Sequence, residues 1–333
     1  MNLARSGVVL AWLLFTATVV SAGESLLKFV PTESEYVIAV DAQSLQNLTF
    51  FKKLTNEASN GRFFLADFER NYNLRFSDCT KLLFVGVNKR LRGLLAETTL
   101  SESDLAQRFR RYGDRFSIEG ESGRKIYCLD TESSNRDGQV KIGVTYFEPQ
   151  TVFAAERKHI AAFLTLNAIP AEKGKTILVT PNGEPLAWSF IDFGTFFGST
   201  SKKRKDFGAL LFNGVRNLFA ELNVYGDGDS WRIDLSAQCD NAQSARQFAF
   251  GIPSYLQLAG SLLFSDDPAL GQELLKQIKF IPDGERVIGE LTLSRQLAER
   301  LANYLKAQAK SRIVPPDPIP ADIKAQSTKE QRD

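Results

Sequence analysis

Carboxylates apart, the residue types best suited to acid–base, thiol or metal chemistry are scarce in this chain: one histidine and three cysteines stand beside 39 acidic residues. His159 sits in Arg157-Lys158-His159-Ile160 on a predicted helix, beside cations that oppose its protonation and on a face expected to be solvated. A Ser-His-Asp relay would have to use it, and no Gly-x-Ser-x-Gly elbow is present to offer the nucleophile. A single imidazole excludes a zinc site built on several histidines, and Cys79, Cys128 and Cys239 contain no Cys-x-x-Cys pair to replace them. Glycoside hydrolysis needs only two carboxylates facing a sugar at a suitable separation. Asp41 and Asp192, each just past a predicted buried strand, are the pair to inspect, although helix capping explains both more simply.

Two charged motifs have simpler readings as well. Gly226-Asp227-Gly228-Asp229 is the nearest approach to a phosphate loop or a calcium loop, but it lies between β-rich runs, where Asp-Gly is a favoured hairpin turn. It also lacks the alternating ligands and terminal Glu of an EF-hand. Lys202-Lys203-Arg204-Lys205 would suggest nucleic-acid binding in a cytosolic chain. In an exported chain it reads as a solvated loop, with contact to an anionic membrane surface or glycan as the alternative. No catalytic, cofactor-binding or metal-binding residue is therefore assigned, no nucleic-acid partner is expected, and a non-enzymatic role is favoured.

The export reading comes from the N-terminus. Arg5 precedes an apolar run from Val8 to Val20, and Val20-Ser21-Ala22 supplies the small residues of a cleavage site. Residues 1–22 are thus expected to be a signal peptide cut after Ala22. The run is short against the roughly 20 residues of a membrane-spanning helix, so no transmembrane anchor is expected after cleavage. Loss of the leader removes Arg5 and leaves 40 basic against 39 acidic residues, a balance that argues against a general polyanion partner. A periplasmic or extracellular location follows. An oxidising compartment would permit one disulfide, for which Cys79 and Cys128 are the expected pair; three buried thiols are the alternative.

The elements between these landmarks alternate hairpins with helices. Tyr36 to Val40 reads as a buried strand, and Lys81 to Val87 pairs naturally with Gly93 to Thr99. Lys125 to Leu129, Val140 to Phe147 and Thr151 to Ala155 precede a helix from Arg157 to Leu166. The second half repeats the order: Leu186 to Ile191, the hairpin Leu218 to Tyr225 with Trp231 to Leu235, a helix capped by Asp240 and interrupted at Pro253, then a helix from Ala269, two strands and a last helix from Ser294. A local echo supports repetition. Glu97-Thr98-Thr99-Leu100-Ser101 leading to Leu105 and Tyr112 matches Glu290-Leu291-Thr292-Leu293-Ser294 leading to Leu297 and Tyr304.

The expected fold is α+β, in two similar halves, each a mainly antiparallel sheet with helices packed on one face. The first repeat would span 23–170 and the second 171–311, followed by a disordered Pro-rich tail over 312–333. Of the 25 phenylalanines, Phe193, Phe196 and Phe197 beside Gly194 and Gly198 form the expected exposed apolar surface.

Leu26-Leu27-Lys28-Phe29-Val30-Pro31-Thr32-Glu33-Ser34, leading into the strand that ends at Asp41, resembles the start of exported bacterial proteins with a duplicated α+β body. It carries Thr-Glu-Ser-Glu where Ala-Asp-Thr is more usual there. The resemblance implies export to the cell envelope and carries over no functional residue. The function expected is a non-catalytic binding or interaction protein of the envelope, its partner an envelope protein or ligand. A carboxylate-based hydrolase of a glycan or peptide, and a carrier of an apolar ligand in a Phe-lined cavity, are the alternatives.

Overall fold

The computed structural model describes residues 24–31, 33–49, 51–52, 65, 68–87, 91–132, 139–167, 185–193, 212–225 and 230–311. The leader, the 170/171 boundary, the 202–205 and 226–229 motifs and the 312–333 tail lie outside them. The strands are β1 (Ser34–Val40), β2 (Cys79–Val87), β3 (Leu91–Thr98), β4 (Phe116–Glu121), β5 (Arg124–Glu132), β6 (Gln139–Glu148), β7 (Thr151–Glu156), β8 (Ala187–Asp192), β9 (Val215–Tyr225), β10 (Ser230–Cys239), β11 (Ile278–Asp283) and β12 (Arg286–Ser294). The helices are α1 (Glu24–Leu27), α2 (Ala42–Asn47), α3 (Glu102–Arg110), α4 (Arg157–Asn167), α5 (Ala242–Leu263), α6 (Pro268–Lys276) and α7 (Arg295–Ser311).

All twelve strands join one antiparallel sheet in the order β11-β12-β10-β9-β8-β1-β2-β3-β7-β6-β5-β4. This corrects the expectation of one sheet per half. The two runs of strands meet at β1 and β8, which pair from Tyr36 opposite Ile191 to Val40 opposite Ala187. Counted outward from that seam, β8-β9-β10-β12-β11 has the same relative strand order as β1-β2-β3-β7-β6, with β4 and β5 intervening in the chain between β3 and β6. The sequence echo does not trace this pattern, because it links β3, third from the seam, to β12, which is fourth. What the two echoed segments share is local. The Ser101 hydroxyl accepts from the Asp104 N–H at the start of α3, and the Ser294 hydroxyl accepts from the Leu297 N–H at the start of α7.

Side-chain alternation divides the core between the two faces. On one face Leu82, Leu94, Tyr127, Val144, Leu222 and Ile233 lie under α2, α3, α6 and α7, through Leu45, Leu105, Phe109, Leu270 and Leu297. The same face continues under α5, where Ala245, Phe248, Ile252 and Leu256 meet Leu218, Ala237 and Val287. On the opposite face, Val37, Leu83, Leu95, Phe153 and Trp188 lie under Leu26 of α1 and Ile160, Phe163 and Leu164 of α4. Helices thus cover both faces of the first run of strands, another departure from the expected one-faced packing. The reason is that β1, β2, β3 and β7 are apolar on both sides, as central strands must be when each face is packed.

Over β10 and β12 the second face is polar. Arg232, Asp234, Gln238, Arg286, Glu290 and Thr292 alternate with the buried positions, and Arg232 pairs with Asp234 at 2.9 Å. This face carries Ile288 and Ile281 side by side, both exposed.

The close approach of α4 to the sheet depends on Gly143 of β6. A Cβ built there would lie 2.5 Å from Ile160 Cδ1 and 2.9 Å from Ile126 Cγ2. Gly143→Ala is expected to lower stability by about 1–3 kcal/mol through overpacking, read as a lower urea midpoint with unchanged slope.

Candidate functional site

The residues singled out for chemistry do not come together. Asp41 directly follows β1 and Asp192 ends β8, and these strands run antiparallel. The two carboxylates therefore sit at opposite ends of the seam, about six residues or roughly 20 Å apart at strand rise, beyond the spacing of a glycosidase pair. Asp41 caps α2 instead, its Oδ1 accepting from the Ser44 N–H at 2.8 Å. The Asp240 expected to cap the long helix is bonded by Arg216 Nε at 2.7 Å, and its neighbour Asn241 takes the cap, accepting from the Ser244 N–H at 2.9 Å.

The three cysteines are free and buried. The expected Cys79–Cys128 bridge does not form because the two side chains point into different cores, Cys79 under the α2 and α3 helices and Cys128 under α4. Cys239 lies in a third apolar cluster under α5. Burial pushes the Cys79 thiol up to about 12 and the Cys128 thiol up to about 11, so both are neutral at physiological pH and poor nucleophiles. Among the described residues no group of three or more His, Cys, Asp or Glu is placed to hold a metal ion.

His159 is half-buried rather than solvated, and its Nδ1 is buried without a hydrogen-bond partner. Burial lowers its proton affinity below the ordinary imidazole value of 6.5. Among the described residues no carboxylate is hydrogen-bonded to it.

A shallow apolar cavity of about 180 Å³ opens beside α2, lined by Gln46, Phe51, Leu65, Phe76 and Ser77. Drug-sized ligands occupy sites of about 300–1,000 Å³, so this cavity is small for a carrier of apolar molecules. Gln46 Nε2 is engaged by the Phe76 carbonyl at 3.1 Å.

Phe193 is not exposed. It is 4% accessible and stacks on Phe212, centroids 4.7 Å apart, behind Phe248 of α5. Phe196 and Phe197 lie outside the described residues. The exposed apolar surface instead belongs to α5. Its inward residues Phe248, Ile252 and Leu256 pack on the sheet, while Gln247, Phe250, Pro253, Ser254, Gln257, Leu258 and Ser261 face outward.

Phe250 is 77% and Leu258 55% exposed. From Gln247 to Leu263 the helix contains no charged residue. The other surface helices carry charge outward: Glu102, Asp104 and Arg110 on α3, and Arg295 and Glu299, paired at 3.2 Å, on α7. A solvated helix face is normally charged or polar, so the outer side of α5 is the atypical surface. Sequence reading placed the apolar patch at Phe193, Phe196 and Phe197 and passed over Phe250, which sits in an alternating Phe-Ala-Phe run whose other ring, Phe248, is core. Helical phase, fixed only by docking, decides which of the two points out.

No protein-family model matches the chain, and no curated protein matches it. Two solved structures of TP0453 are similar to it in fold. Its crystal form III shares 13% identity, with a TM-score of 0.46 over 84% of this chain and 97% of that one. Its crystal form I shares 14% identity, with a TM-score of 0.44 over 86% and 98%.

Truncating the two α5 rings is expected to separate core from surface. Phe248→Ala should cost about 3–5 kcal/mol, whereas Phe250→Ala should change stability by about 0.5 kcal/mol or less, both read from chemical denaturation. Thiol titration without reductant is expected to find no reactive cysteine in the native protein and three after unfolding in denaturant.

Proposed function

We propose that this chain is an exported, non-catalytic interaction protein of the cell envelope that binds its partner through the outer face of α5. The observation that carries the reading is the uncharged stripe Phe250-Ser254-Leu258, exposed on a helix that is otherwise firmly docked. Exposing a phenylalanine at this level forgoes roughly 1.5–3 kcal/mol of apolar burial, and a contiguous uncharged patch is the kind of surface that a partner covers. Export is supported by the leader of residues 1–22 with cleavage after Ala22, and it would place the mature chain in the periplasm or outside the cell. No helix among the described residues is long and apolar enough to cross a membrane.

The same reading includes descent from two similar α+β halves, 23–170 and 171–311. The matching order of strands outward from the seam supports it. The hairpin β4-β5, which lies beyond the five matched strands, would then be an addition to the first half. The hydrolase alternative is weakened by the separation of Asp41 from Asp192.

A photo-crosslinking residue at position 250, compared with one at Arg232 on the polar sheet face, tests the proposal in the native envelope. A discrete adduct from position 250 that disappears when Leu258→Ser is added supports it. Equal labelling from both positions, or none from 250, overturns it.

A further inference from the structure

We propose that the first turn of α4 is a pH-sensitive fastening, in which protonation of His159 loosens this helix from the sheet face it covers. Nδ1 of His159 is buried and has no partner. With the ring proton on Nε2, Nδ1 holds only a lone pair; acid adds a proton there and creates a buried donor facing no acceptor, which is costly to retain in place.

The charged surroundings sharpen the effect. The groups acting on the ring are Glu156 of β7, Lys158 of α4 and Arg92 of β3. Lys158 and Arg92 oppose an imidazolium. Glu156 favours one, as does a backbone bond with Arg92, but the Glu156 carboxylate is already paired with Lys158. The remaining neighbour, β6, turns Gly143 toward the helix and, two residues along the same face, Lys141, whose charge is engaged by Glu119 beside Arg157. His159 is also the third residue of α4, where the positive end of the helix dipole disfavours a cation.

Burial, the largest cause, and the cations prevail, so the folded ring binds protons less readily than the unfolded one. The sign follows: the unfolded state takes up more protons as pH falls through 6.5, and stability is lost in that direction. Above that value the ring is neutral in both states and the fastening is intact. Two other contacts hold α4 alongside this fastening: Arg157 reaches the edge strand through Glu119 at 2.7 Å and Glu121 at 3.1 Å, and Phe163 stacks on Phe153 with centroids 3.7 Å apart.

As the chain holds one histidine, the titration can be read without ambiguity. Hydrogen exchange of the amides of residues 160–167 would be compared at about pH 7.5 and about pH 5.5, on either side of the ordinary imidazole value, after correction for intrinsic rates. The opening of α4 is expected to rise about three- to tenfold at the lower pH, since one proton changes an equilibrium by at most about tenfold per pH unit. In His159→Gln that rise is expected to vanish. Unchanged α4 opening in the native sequence, or the same rise in His159→Gln, overturns the proposal.

If His159→Gln fails to fold, an NMR titration of the native protein decides. The Ile160 methyl signal moving with the His159 ring midpoint supports the proposal, and an Ile160 signal that ignores that midpoint overturns it.

Discussion

The pairing of β1 with β8 is the interaction on which the architecture depends. Five residue pairs, from Tyr36 opposite Ile191 to Val40 opposite Ala187, turn two runs of strands into one sheet. Without that seam each run would present a long central edge with unpaired N–H and C=O groups, a template for association with other chains. The side chains explain why the seam closes. Val37, Ala39, Ala187 and Trp188 are almost wholly inaccessible, and each strand contributes apolar residues to both faces. Small Ala39 lies opposite large Trp188, so the ring fits without forcing the strands apart.

From this seam the sheet's two faces diverge in character. One is covered along its length by helices that arrive after each run of strands. The other is covered only over the first run, where α1 and α4 meet a second apolar surface. Toward β10 and β12 that surface gives way to Arg232, Asp234 and Glu290, whose mutual ion pairs need no cover. Antiparallel sheets tolerate one wet face because alternate residues can be polar without disturbing the packed side. The two edges are also protected. β4 carries Glu119 and Glu121 engaged by Arg157, and β11 carries Lys279, Asp283 and Pro282, which lacks a donor to offer an incoming strand.

Much of the element order was legible from sequence. The hairpins of β2 with β3 and β9 with β10, the helix after β7 and the closing helix fall where hydrophobic period and turn residues placed them. β4 was missed, because Phe116-Ser-Ile-Glu-Gly-Glu is short, carries a glycine and, as an edge strand, buries none of its residues fully. The unbroken length of α5 was missed too. Pro253 reads as an interruption, yet Ile252 and Leu256 on either side are both packed on the sheet, and that packing outweighs one lost backbone bond.

What the residues alone determined was chemistry's scarcity and the local grammar: one imidazole, three scattered thiols, caps such as Asp41 and Ser101, and the α+β alternation of hairpins with helices. These follow from short-range geometry, since caps and periodicities act within a few residues. The tertiary structure decided the rest: one sheet rather than two, the thiols kept in separate cores, Phe193 and Phe248 inside with Phe250 outside, and His159 half-buried in the first turn of α4. Those outcomes depend on which strand lies beside which and on the rotation at which each helix docks. They are set by contacts between residues far apart along the chain.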